Sequence, residues 1–170
     1  MKRERPLWNN SYRVSDGSVF DMGCLSAECS SAVFEPLDEL PFVAVVLNSS
    51  AQILFLNHYA QQTLKVEGTQ AFGQSWIEQF IPIDQHKEIH HLFSAAMSGI
   101  TAPFASYVND VQDCVGETHS LFWLNNYVAC KKATIKGVVS LGFNPEQFSN
   151  IQTINLPLSF ECKDKHVAAS

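Results

Sequence analysis

Between Asp84 and Gly99 the apolar residues Ile89, Leu92, Phe93, Ala96 and Met97 recur at i, i+3, i+4, i+7 and i+8. That spacing puts all five on one stripe of a helix, with Asp84 near its start and Gly99 just past its end. A helix so one-sided must lie across an apolar surface, and its flanks supply one. Upstream, Phe42–Leu47 and Ile53–Leu56 are short apolar runs separated by the polar Asn48-Ser49-Ser50, the pattern of two buried strands joined by a turn. Downstream, Phe104–Val111, His119–Cys130 and Ile135–Phe143 are rich in Phe, Trp, Tyr and Val and broken at Gly116 and Lys131–Thr134, which predicts three strands in antiparallel meander. Two strands, then helices, then three strands make an α+β domain: a five-stranded antiparallel sheet with helices across one face.

Smaller signals fill in the order. After Asn57, the residues Tyr59 to Val66 predict a short helix ended at Gly68. In "GQSWIEQFIP", Pro82 stops one element and suits the first turn of the next. In the last strand Ile135, Gly137, Val139, Leu141 and Phe143 alternate with Lys136, Val138, Ser140 and Gly142, so one face is apolar and the other mixed. The mixed face, with Val128 and Cys130 beside it, is expected to point outward and to offer a homodimer contact. Residues 1–35 form an N-terminal flank whose isolated apolar residues (Leu7, Trp8, Val19, Phe20, Met22) are expected to cover the outer face of the sheet or join that contact. Residues 36–146 are the domain, and 147–170 an extension with a short strand in "NLPLSFE" and a polar tail.

Charge excludes one class of partner: the formal net charge is −6, whereas nucleic-acid binding draws on a basic face to displace phosphate counterions. No stretch approaches a membrane span or an export signal. The five cysteines, Cys24, Cys29, Cys114, Cys130 and Cys162, are odd in number and contain no Cys-x-x-Cys pair, which suits free thiols in the cytoplasm.

Catalytic constellations are thin. His86 and His90 stand four apart on the long helix, but a zinc-protease motif needs Glu after the first His and Lys87 is there; Asp84 or Glu88 would have to complete any metal set. By helical phase His86 lies about 60° from the stripe centre, His90 about 100° and His91 about 200°, so His86 faces inward and His90 sits on the flank. Cys114 or Cys130 with His119 forms no nucleophile signature. An enzyme alternative is the cone-shaped α+β fold of ketosteroid-isomerase type with a buried Asp or Glu base, but that fold opens with a long helix and the runs at Phe42 and Ile53 are too short for one.

The segments "VAVVLNSSAQILFLN", Asn57 heading a helix, "GQSWIEQFIP", "HSLFWLNN" and "GVVSLGFN", in this order from Leu37 to Asn144, resemble the Per-Arnt-Sim (PAS) sensor family. The hairpin "NSSAQ" lacks that family's acidic residue and Gly, and Asn144-Pro145 stands where its last strand commonly ends in Asp. The resemblance implies a sensory or regulatory module, not an enzyme, that takes a small ligand between the sheet and the long helix and signals by protein contact. Such modules commonly serve kinases, cyclases or bacterial transcription regulators. The aromatics Phe55, Trp76, Phe93, Phe104, Tyr107 and Trp123, with Met97, are expected to wall the ligand site, with Tyr107 and His86 as its polar groups. The alternative is a core filled by the same rings, for which twelve Phe suffice. The haem-binding branch of the family carries its iron ligand on this helix, and His90 resembles that placement; the flavin branch's Asn-Cys-Arg motif does not occur.

Overall fold

A computed structural model describes residues 34–129 and 134–150 of the chain. In order they form α1 (Glu35–Asp38), β1 (Val43–Asn48), β2 (Ile53–Leu56), α2 (His58–Leu64), α3 (Gly68–Ala71), α4 (Trp76–Phe80), α5 (His86–Met97), α6 (Ala102–Ala105), β3 (Ser106–Gln112), β4 (Thr118–Ala129), β5 (Ile135–Phe143) and α7 (Pro145–Asn150). The strands make one five-stranded sheet in the order β2-β1-β5-β4-β3, antiparallel at every pairing. This is the expected α+β architecture. The expected strand in residues 155–161, Cys130 and most of the Lys131–Thr134 turn lie outside the described residues.

Boundaries differ from expectation where local chemistry intervenes. The helix after Asn57 ends at Lys65, which takes the left-handed cap conformation at φ 53°, and Gly68 opens α3 instead of closing α2. Phe104 lies in α6, not in a strand, because Pro103 fits the first turn of a helix, and β3 begins at Ser106. At the two ends, Phe34 is already buried and α7 continues beyond residue 146.

The larger correction concerns the faces of the sheet. The helices lie over Val138, Ser140 and Gly142, the mixed set, while Val139, Leu141 and Phe143 face the opposite side. There they pack with Ala44, Val46 and Val128 beneath Phe34, Leu37 and Phe42 from the lead-in to β1. Val138, Ser140 and Val128 are all buried, so the dimer surface expected from them is not on the outside. Alternation along one strand shows that two faces differ but not which one a helix covers, and here both are covered.

Asn57 ties these layers together. Fully buried, its Oδ1 accepts from Ala44 N (3.0 Å) and Ala60 N (2.9 Å), and its Nδ2 donates to Leu37 O (3.1 Å) and Phe42 O (2.8 Å). One side chain thereby caps α2, extends the edge of β1 and anchors α1.

Candidate functional site

A small, partly enclosed cavity of about 20 Å³ lies on the helical face of the sheet, between its centre and the aromatics of α4 and α6. Trp76 enters from the start of α4, a helix whose cap is Ser75 Oγ accepting from Glu78 N (3.3 Å). Its indole packs on Phe80 (5.1 Å between centroids) and meets Trp123 of β4 edge-on at 5.8 Å. From the other end Phe104 packs edge-on against Phe93 of α5 (6.0 Å) and beside Tyr107 (6.4 Å). Trp76, Phe104, Tyr107 and Trp123, all singled out in the sequence, therefore line one space, while Phe93 and Met97 pack behind it.

Three expected residues lie elsewhere. Phe55 belongs to the opposite face, with its ring 5.3 Å from Phe34, because β2 meets β1 through an irregular register at Val46/Leu47 that pairs Phe55 with Val46. His86 is half-buried but turned back along its own chain, its Nε2 2.7 Å from Ile81 O and its Nδ1 3.6 Å from Glu78 Oε2. His90 is exposed, with Nε2 3.0 Å from Glu78 Oε1. Both imidazoles thus address Glu78 on the α4–α5 surface. The geometry does not fit haem: His90, the residue that resembles the iron ligand, is exposed and bonded to Glu78 on the surface and is not among the residues lining the cavity.

The cavity's polar groups are ones sequence reasoning passed over. Asn109, Asn125 and Ser140 line it, and Asn125 and Ser140 are direct cross-strand partners in the middle of the sheet. Asn125 Nδ2 donates to Phe104 O (2.6 Å), which fixes the turn from α6 into β3. The one available signal was the mixed face of β5, which places Ser140 and Gly142 on the same side as Trp123. Trp123 Nε1 is buried and finds no acceptor among the described residues. The Tyr107 hydroxyl is pushed up to about 12 by burial and by its hydrogen bond to Glu88, and burial does the same to Tyr127, whose hydroxyl donates to Thr101 O (3.1 Å). Both stay neutral donors throughout the physiological range.

Gly142 is what lets Trp123 lie flat over β5. A Cβ there would meet the Trp123 ring at 2.7 Å, closer than atoms tolerate. Gly142→Ala is therefore expected to lift the indole, change the near-ultraviolet circular dichroism of the tryptophans and cost about 1–3 kcal/mol; an unchanged spectrum would contradict this packing.

A second polar cluster sits at the tip of the β3–β4 hairpin. Asp113 Oδ1 accepts from Val115 N (3.0 Å) and Glu117 N (2.9 Å), and its Oδ2 lies 2.9 Å from Lys65 Nζ and 3.3 Å from His119 Nε2. Asp113, Glu117 and His119 offer metal-ligand types close together, but the Lys65 ammonium, bonded to both carboxylates, already supplies the positive charge. Cys114 is an exposed free thiol, and the ring of His119 is engaged by Asp113. Burial pushes the Asp113 carboxyl up, but Lys65, the Glu117 and Val115 amides and His119 outweigh it and hold the group well below the usual carboxylate range. Its folded pKa lies below its unfolded one, so its contribution to stability is complete above about pH 4 and is lost as pH falls further. Asp113→Asn should flatten the loss of urea resistance below pH 4; an acid limb identical to wild type would remove Asp113 as its source.

No protein-family model matches the chain, and a search of curated proteins finds no match. Solved structures do match. A PAS domain from Colwellia psychrerythraea superposes with a TM-score of 0.56 at 12% identity, covering 65% of this chain and 91% of that one. The PAS domain of the Cronobacter turicensis RpfR quorum-sensing receptor in complex with C12:0 gives 0.52 at 14% identity, covering 63% and 96%. The PAS-B domain of Drosophila melanogaster Cycle with bound ethylene glycol gives 0.51 at 11% identity, covering 60% and 98%. In sheet order, in the helices between β2 and β3 and in the long α5, this chain has the PAS fold.

Proposed function

We propose that the chain is a sensory or regulatory PAS module that works by binding, without turnover, and holds a small ligand in the cavity between β4, β5, α4 and α6. The observation that carries this reading is Trp123: this residue, only 4% exposed, has a buried indole N–H with no acceptor among the described residues and lines a cavity that also presents Asn109, Asn125 and Ser140. A buried donor without an acceptor costs roughly 1–3 kcal/mol, so such groups call for a water or a ligand atom. About 20 Å³ suits a single water. A ligand with an oxygen acceptor replaces that water at Trp123 and makes room for its remainder by swinging Trp76, which closes the cavity from α4. The solved PAS domains holding C12:0 and ethylene glycol support a ligand that bears oxygen.

The test uses glycerol and dodecanoate as probes in thermal unfolding and native mass spectrometry of the 170-residue chain. At least one should raise the melting temperature saturably, and Trp123→Phe, which keeps a ring but loses the N–H, should weaken that response about tenfold. No response from either probe, or a full response in Trp123→Phe, refutes the assignment. The small cavity favours a second reading, a PAS module with a filled core that signals only by docking to a protein; that reading survives if neither probe binds.

A further inference from the structure

A second concavity lies on the outside of the molecule and shares no lining residue with the cavity at Trp123. This groove, about 700 Å³, is bordered by Leu54, Phe55 and Leu56 of the edge strand β2 and by Phe72, which follows α3 and is 41% exposed. Gln61, Glu67 and Thr69 give it a polar rim. Exposed apolar surface of this kind, rimmed by polar groups, marks a contact site.

Two observations point to the occupant. The first is where the described chain begins: Phe34 is 2% exposed with its ring 5.3 Å from that of Phe55, which borders the groove. The second is charge. Among the described residues Lys65, Lys87 and Lys136 are the only Lys or Arg, against eleven Asp and Glu, and the groove's one ionisable residue is Glu67. Residues 1–13 carry Lys2, Arg3, Arg5 and Arg13 against Glu4, a net +3, around the apolar Leu7, Trp8 and Tyr12. The other apolar stretch of the N-terminal region, Val19–Leu25, contains Asp21 and lies between Asp16 and Glu28, so it would add negative charge to an acidic surface.

We infer that the segment Arg3–Arg13 is a tethered ligand of this groove, with Trp8 and Leu7 seated against Phe55 and Phe72 and an arginine facing Glu67. About twenty residues separate Arg13 from Phe34, and at ~3.4 Å each they reach the groove with ample slack. The tether makes docking intramolecular, so a modest contact suffices to hold the segment. In place, it occupies a surface that an outside partner would otherwise use.

Photo-crosslinking of the full chain tests this. Phe72 is replaced by p-benzoylphenylalanine, a change its exposure tolerates, and a 1:1 mixture of isotopically light and heavy chains is irradiated, digested and mapped by mass spectrometry. The expected result is a dominant crosslink to a peptide within residues 3–13 of the same chain. Its yield should fall at least fivefold in Glu67→Lys, in the combined Arg3→Glu, Arg5→Glu and Arg13→Glu variant, and in 0.5 M salt. A crosslink to residues 14–33 or 151–170, a crosslink joining light to heavy chains, or none at all overturns the inference. Circular dichroism of each variant guards against loss of fold.

Discussion

Asn57→Ala is expected to lower stability by about 4 kcal/mol and the melting temperature by about 15–30 °C, more than any other single polar change in the described structure. The variant removes the α2 cap, itself typically worth ~1 kcal/mol. It also strips partners from the amides of Ala44 and Ala60 and from the carbonyls of Leu37 and Phe42, all reached by one buried amide. The cost is a sum of orphaned backbone groups, so no single replacement recovers it. Asn57→Asp keeps the acceptor but aims a buried carboxylate at three carbonyl oxygens, those of Leu37, Leu40 and Phe42, and should be no better at neutral pH. Thermal unfolding followed by circular dichroism decides the matter. A loss under 1 kcal/mol would mean that the lead-in at Leu37 and the edge of β1 are held by other contacts.

Phe93→Ala should cost about 3–5 kcal/mol, the full price of truncating a close-packed aromatic. Phe93 is buried on α5, meets Phe104 edge-on, and belongs to the cluster joining the helices to β1, β4 and β5. The cavity lined by its neighbour Phe104 measures about 20 Å³. Were this side of the sheet a roomy chamber, the ring would have fewer partners and its removal would cost less. Chemical denaturation of the variant therefore measures how full the core is: a loss below about 2 kcal/mol would contradict the close packing described above.

The architecture was legible because its determinants are periodic. The stripe from Ile89 to Met97, the runs at Phe42 and Ile53 and the aromatic strands after residue 104 each specify an element by spacing alone, and their order leaves few ways to connect them. The site was legible in part. Trp76, Phe104, Tyr107 and Trp123 could be gathered because large aromatics on converging elements must share a core. Asn109, Asn125 and Ser140 could not, because a polar residue in a strand reads as solvent-facing until the tertiary fold encloses it. Phe55 was misplaced for a different reason: one register irregularity in β1–β2 exchanges the faces of the residues beyond it. For His86, direction along a helix face does not say whether a ring reaches the sheet or folds back, here onto Ile81 O.

The sheet with two buried faces has a consequence for folding fidelity. In most sheets a one-residue slip of a strand is forbidden because it throws the apolar set into water. In β5 both sets are apolar enough to be buried, Val138 on one side and Val139, Leu141 and Phe143 on the other, so solvent exposure alone penalises a misaligned strand weakly. What distinguishes the true alignment is shape: only Gly142 fits under Trp123, and a slip in either direction would set Leu141 or Phe143 there. The same glycine that shapes the interior site thus acts as the indexing notch for the central strands. Substitutions at residue 142 should show themselves first as heterogeneous strand pairing and aggregation during refolding.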